Sequence, residues 1–172
     1  MINEKIVKAL SDQINAEFYS AYLYLAMSAY AEDETFKGAA HWLFVQAQEE
    51  MTHAIHMYKY LLDRDEIPTL PQIDAPEVDF KGFEDIFIKT LEHEKTVTAR
   101  LNNIAKLAME ENDHALYQFI MWYVNEQVEE EANAKDILGK YKIIGKDNSS
   151  LITLDNELGA RMFVHPFPMD LA

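Results

Sequence analysis

The sequence predicts an all-α fold: a bundle of four long helices with one long crossover between the second and third, and a short fifth helix near the C-terminus. Three observations predict it. The five prolines stand at positions 68, 71, 76, 166 and 168, so residues 1–67 and 77–165 contain none. Proline in a helix interior costs about 3 kcal/mol, and both stretches are therefore free to be helical. Apolar residues in those stretches recur every three or four positions, the helical period. The interruption at 65–82 holds three of the prolines and can span roughly 50 Å extended, the length of a whole helix. A single long crossover is one of the known bundle topologies. A chain of 172 residues fits one domain that buries roughly 70% of its unfolded surface. That domain is expected over residues 1–161, with 162–172 as a tail.

The first helix is expected over about 3–32. Asn3 is its N-cap, and Leu10, Gln13, Glu17, Ala21, Tyr24 and Ser28 form its inward stripe. Asp33 is expected to cap a second helix over 35–64, with the stripe Leu43, Gln46, Glu50, His53, Met57 and Tyr60. The third helix is expected over 83–111, with Phe87, Glu94, Leu101 and Ala105 on one face. Asp113 caps a fourth over 113–144, with the stripe Phe119, Trp122, Glu126, Glu129 or Glu130, Asn133 and Ile137. Gly145 ends it. The fifth helix is expected over 149–160. The segment from Val164 to Ala172, with two prolines, is expected to be loose, with Pro166–Pro168 either disordered or docked on the rest of the protein. At 1.5 Å per residue the four long helices reach roughly 42 Å each.

Composition excludes several functions. Thirty acidic residues against 15 basic give a net charge of −15, which repels phosphate backbones and anionic lipid and suits cations. Neither nucleic acid nor a membrane is an expected partner. Cysteine is absent, which excludes disulfides, thiolate metal sites, iron–sulfur clusters and thiol nucleophiles. The uncharged run from Phe18 to Ala31 has 14 residues, against about 20 for a membrane span. The N-terminus lacks the apolar core of a signal peptide, so a cytoplasmic protein is expected.

The informative residues are acids on faces that should be apolar. Glu17 lies on the first inward stripe. Glu50 and His53, three apart, share a face of the second helix. Glu94 lies on the third stripe, and the fourth helix offers Glu126, Gln127, Glu129 and Glu130. Burying one unpartnered carboxylate costs several kcal/mol, and burying four requires a neutralising cation. No lysine or arginine lies within three positions of Glu17, Glu50 or Glu130. A multivalent metal is the simplest resolution. Carboxylates with one imidazole and no sulfur suit iron or manganese better than copper, while zinc and magnesium would also bind. Tyr24 and Trp122 stand near enough in sequence register to donate hydrogen bonds or electrons.

Taken singly, these signals are weak. One Glu-x-x-His motif occurs often on solvated faces, and Glu129–Glu131 alone reads as a solvated charge run. Tyr24 and Trp122 alone read as core residues. His41, His56, His93, His114 and His165 have no comparable partners and read as structural or surface residues. The contribution of all four helices at similar depth is what raises the metal reading above these.

The chain resembles the non-haem bacterial ferritins over residues 1–161. The resemblance rests on Asp12–Glu17 with Tyr22–Leu25, His41-Trp42 with Gln46–His53, Leu91–Glu94, and Trp122 with Glu126–Glu131. It implies a hollow homo-oligomeric shell of 24 subunits that oxidises Fe(II) to Fe(III) with dioxygen or peroxide and stores a ferric mineral. It also implies that Glu17, Glu50 and His53 hold one iron. Glu50 would bridge to a second held by Glu94 and Glu130, with Gln127 nearby. Glu49, Glu126, Glu129 and Glu130 would form a third site. Tyr24 would hydrogen-bond the centre, Trp122 could donate an electron, and the fifth helix would pack at four-fold axes.

Where a second Glu-x-x-His would stand, the fourth helix has Gln127 and Glu130, which separates the chain from haem-containing bacterioferritins and many di-iron oxidases. Met51 follows Glu50, but no haem is expected. Animal ferritins carry channel acids where this chain has Tyr117 and Ile120, so that access route for iron is not expected. Two other functions compete with storage: a soluble di-metal oxidase or peroxidase that stores nothing, and a non-catalytic scaffold or metal buffer.

Overall fold

The computed structural model describes residues 2–145 and 147–167. Five helices follow in order: α1 (Glu4–Asp33), α2 (Lys37–Asp63), α3 (Phe83–Glu110), α4 (His114–Ile144) and α5 (Asn148–Leu158). No strand occurs among the described residues. Each boundary lies within two residues of the expected one. Asn3 caps α1 by accepting from the Lys5 N–H, and Asp113 caps α4 by accepting from the Leu116 N–H. Gly145, with φ of 62°, ends α4 in the left-handed conformation that glycine adopts cheaply. Asp147, one position before α5, receives the N–H groups of Ser149 and Ser150.

Asp33 does not cap α2. It is the last residue of α1, because the Phe36 N–H turns back to the Ala31 carbonyl (2.9 Å) and Thr35 (φ 68°) makes the reversal. Phe36 then stands at the N-cap of α2, and its side chain has no acceptor to offer. The open N–H groups of that helix start are met from far along the chain. Asp155 of α5 accepts from Gly38 (3.0 Å) and Ala39 (2.8 Å). The α5 backbone sits so close that a Cβ on Gly38 would lie 1.5 Å from the Asp155 carbonyl oxygen.

The 64–82 crossover runs the length of α1, as hydrogen bonds along it show. The Ile2 N–H reaches the Glu66 carboxylate (3.2 Å), the Thr69 N–H reaches Ser11 Oγ (3.0 Å), and Asn15 Nδ2 donates to the Pro71 and Gln72 carbonyls (3.3 Å each). At the far end the Phe80 ring meets Tyr30 (centroids 5.4 Å apart), and the Gly82 N–H donates to the Tyr30 hydroxyl (2.9 Å). Consequently α3 begins beside the C-terminal end of α1 and runs parallel to α2. Helix α1 packs on α2, α3 on α4, and α5 against α2 and α4.

The apolar interior forms two clusters. One is built around Leu23, Tyr24, Met27, Leu43, Phe83 and Phe87, and the other around Ile6, Leu10, Ile14, Met57, Leu101 and Ile120. Between them, midway along the helices, lies a layer of buried polar residues that includes Gln13, Glu17, Gln46, Glu50, His53, Glu94, Gln127 and Glu130.

Of the two alternatives for the tail, its described part takes the docked one rather than the loose one. Residues 161–167 lie across α2 and α4. The Phe167 ring meets His56 (centroids 3.6 Å apart) and Trp122 (4.6 Å), and apolar contact with that aromatic group outweighs the freedom of a proline-flanked segment. Pro168 to Ala172 lie outside the described residues. Among the described residues, no helix is long and apolar enough to cross a membrane.

Candidate metal centre

Each of the four long helices delivers its polar side chains to this layer by register. On α1 and α2, a glutamine precedes a glutamate by four positions, so each pair lies on one face a turn apart. Gln13 Nε2 donates to Glu17 (2.7 Å), and Gln46 Nε2 donates to Glu50 (3.1 Å). His53, one turn after Glu50, sets Nδ1 3.5 Å from the Glu50 carboxylate. Glu17, Glu50 and His53 each bring a ligand atom within 4.8 Å of the other two, and all three are buried.

The α3 and α4 side of the layer is held differently. Glu94 receives the Tyr24 hydroxyl and Gln127 Nε2 (2.8 Å), and Gln127 also reaches the Glu94 carbonyl (3.2 Å). Glu130 is buried beside it, at 4% exposure. Among the described residues, Glu94 and Glu130 do not join a group of three as tight as the first.

Burial dominates the electrostatics. It pushes the Glu17 carboxyl up from the ordinary 4.5 to about 8, with Glu50 adding repulsion. Glu130 rises to about 8 through burial and then Glu94. Glu50 rises well above the ordinary range through burial and then Glu94, and Glu94 rises through burial despite its bonds from Tyr24 and Gln127. The Tyr24 hydroxyl is held well above its usual value by burial and then by Glu94. Glu17 Oε2 is buried with no hydrogen-bond partner. An orphaned acceptor amid acids that resist ionisation is a vacancy for positive charge. The donor set, carboxylate oxygen with one imidazole nitrogen, fits a first-row divalent ion.

The acids expected at a third site are more scattered. Glu49 is partly buried and ion-paired with Arg161, so burial raises its carboxyl while the guanidinium opposes that rise. Glu126 is also partly buried and raised by burial, whereas Glu129 is exposed. The Trp122 ring lies 5.6 Å from the His53 ring, between centroids. Four of the five remaining histidines take other partners, His41 the Arg161 carbonyl, His56 Tyr123, His93 Ser20 and His165 Phe167, and His114 is exposed at the start of α4.

Sequence reasoning missed Arg100 and Arg161. Arg100 Nε donates to Gln13 Oε1 (2.9 Å), and Arg161 Nη1 donates to Gln46 Oε1 (2.7 Å). The partners stand 87 and 115 positions apart, and no local pattern signals such pairs. The repeated Gln-x-x-x-Glu spacing at 13/17 and 46/50 was the one available hint.

Four helices converging carboxylates and a single imidazole on a buried layer define a carboxylate-rich metal protein of the four-helix-bundle class. Comparison with known proteins narrows this. The ferritin-like domain family matches residues 7–144. A probable bacterial non-heme ferritin-like protein of Haemophilus influenzae is 39% identical over 159 residues, covering 92% of this chain and 96% of that one. The bacterial non-heme ferritin of Staphylococcus aureus is 35% identical over 163 residues, covering 95% and 98%. Among solved structures, an Archaeoglobus fulgidus ferritin engineered into a closed form superposes with a TM-score of 0.93 at 44% identity, covering 95% of this chain and all of that one. This chain belongs to the ferritin family.

Proposed function

We propose that the chain is the subunit of an iron-storage ferritin that oxidises Fe(II) at the buried layer. The observation that carries this is the metal-binding character of Glu17, Glu50 and His53 within a ferritin fold: three ligand atoms within 4.8 Å, and a carboxylate oxygen with no other partner. Fe(II) is the substrate. Glu17, Glu50 and His53 bind one ion. Glu50 bridges to a second, held by Glu94 and Glu130 with Gln127 alongside. Each Fe(II) gives up one electron, and dioxygen accepts the pair with two protons to give hydrogen peroxide. The acids that held protons in the metal-free protein release them as iron enters.

The surrounding residues serve that step. Tyr24 and Gln127 fix Glu94 by hydrogen bonds, and the two apolar clusters keep bulk water from the layer. The packing of Trp122 against His53 supports its reading as an electron donor when the bound iron supplies fewer than two electrons. Glu49, Glu126, Glu129 and Glu130 form a third iron site on the side where Arg161 lies, and iron there competes with the guanidinium for Glu49. The acidic excess of the chain attracts Fe(II). The subunit assembles with copies of itself into a 24-subunit shell, with α5 at the four-fold axes, in the cytoplasm.

The test is anaerobic addition of two Fe(II) per subunit, then air, following oxygen uptake and absorbance, with particle mass on the same sample. Rapid uptake in a particle of roughly 480 kDa, twenty-four times the 19.9 kDa chain, is expected. Glu50→Ala abolishes fast oxidation and leaves assembly intact. Unchanged oxidation kinetics in that variant refutes the site, and a far smaller particle refutes the shell.

A further inference from the structure

Two side-chain relays of the same composition reach the metal layer from opposite parts of the fold. In the first, Arg161 Nη1 donates to Gln46 Oε1 (2.7 Å), and Gln46 Nε2 donates to Glu50 (3.1 Å). In the second, Arg100 Nε donates to Gln13 Oε1 (2.9 Å), and Gln13 Nε2 donates to Glu17 (2.7 Å). A guanidinium only donates, so the atom facing it must be the amide oxygen. The amide NH₂ of each glutamine is thereby forced toward its glutamate. Without the arginine, either glutamine could turn over and set its carbonyl oxygen against a carboxylate. We propose that Arg161 and Arg100 are positioning residues of the metal centre, fixing the sense of Gln46 and Gln13 and through them the orientation of Glu50 and Glu17.

Placing the charge one residue away has a chemical consequence. An arginine paired directly with Glu50 or Glu17 would neutralise it and compete with iron. A neutral amide between them orients the carboxylate with one hydrogen bond and leaves its charge for the metal. Both arginines are themselves held. Arg161 Nη2 pairs with Glu49, its guanidinium lies 4.4 Å from the Trp42 ring centroid, and its carbonyl meets His41 Nε2 (2.8 Å). Arg100 Nη2 donates to the Asp12 carbonyl (2.7 Å). Arg161 stands three positions beyond the last residue of α5, so docking of the C-terminal segment and orientation of Glu50 become one event.

The proposal rests on the reading of the layer as an Fe(II) site, and Co(II) is the probe that separates the two. The full-length assembled protein is titrated with Co(II), following its visible absorption, and Fe(II) oxidation is measured separately for KM and kcat. Loss of an outer hydrogen-bond partner of a metal ligand typically costs about 10–100-fold in metal affinity or activity. Arg161→Met and Arg100→Met are each expected to weaken Co(II) binding about 10-fold and change the Co(II) spectrum, with Fe(II) KM raised. Arg161→Lys, which still donates to the Gln46 carbonyl, restores most of the loss. Arg161→Met combined with Gln46→Leu adds little to either single change, because both break one relay. Arg64→Met, which removes a remote ion pair with Asp113, leaves spectrum and KM unchanged. Wild-type spectrum and KM in both arginine variants overturn the proposal, as do additive effects of Arg161→Met and Gln46→Leu. If Arg161→Met fails to assemble, Arg100→Met and Arg161→Lys decide. Co(II) binding without Fe(II) oxidation in the parent protein overturns the ferroxidase reading alone, and the arginines are then judged on the Co(II) spectrum.

Discussion

Filling the metal layer anaerobically should expel protons, and the amount should fall as pH rises. The Glu17 carboxyl sits near 8, so it is about 97% protonated at pH 6.5 and about 24% at pH 8.5. A carboxylate must lose its proton to ligate iron. Glu17 alone therefore releases nearly one proton per subunit at the lower pH and about a quarter at the higher. Glu50, Glu94 and Glu130 are pushed in the same direction by burial, so the total at pH 6.5 exceeds one. A pH-stat titration of the assembled protein with Fe(II) under argon reads this directly. Glu17→Gln should remove nearly one proton from the count at pH 6.5 and only about a quarter at pH 8.5. Release below half a proton per subunit at pH 6.5, or release that increases with pH, would show that the acids are already ionised and the account of the layer is wrong.

Three further outcomes are expected. Gly38→Ala drives a methyl into the Asp155 carbonyl, so α5 must leave its seat, and native mass spectrometry should show lost or weakened assembly. Asp155→Ala leaves the Gly38 and Ala39 N–H groups without their acceptor and should destabilise the subunit by about 1 kcal/mol, the worth of an N-cap, seen as a lower melting temperature. Tyr24→Phe removes the hydroxyl bond to Glu94 while keeping the ring in the core, so Fe(II) oxidation should slow about 10-fold with the cage intact.

The helices were legible because their signals are local: proline spacing, the three-to-four repeat, and the caps Asn3 and Asp113, although the buried face of α4 runs through Ile120, Tyr123, Gln127, Glu130 and Ala134, one position on from the expected Phe119, Trp122, Glu126 and Asn133. So were the inward polar residues, since Glu17, Glu50, His53 and Glu94 interrupt apolar stripes that a sequence displays openly. What escaped was everything supplied across the fold. Asp33 looks like a cap for the next helix, yet α1 absorbs it and Asp155, more than 100 positions later, does the work. Arg161 looks like the first residue beyond a helix, and only packing shows it reaching Gln46 and Glu49. Phe167 sits between prolines, a pattern of loose chain, but finds an aromatic surface of Trp122 and His56 that no local rule describes.

The polar layer also governs how the metal-free protein responds to pH. Glu17 and Glu130 have folded values near 8, above the ordinary 4.5 expected of the unfolded chain. For groups raised in this way the folded state binds the extra protons. Their contribution to stability is fully present below 4.5 and is lost as pH rises through about 8. Each costs at most about 1.4 kcal/mol per pH unit in that window. The melting temperature of the metal-free protein should therefore fall between pH 5 and pH 8, and Zn(II), a redox-inert substitute, should flatten the decline by replacing protons with a cation. The clusters around Leu10 and Leu43 flank the layer on both sides and hold the helices together while it is protonated. Protons and iron thus occupy one electrostatic niche in turn, and a pH-independent melting temperature in the metal-free protein would contradict that exchange.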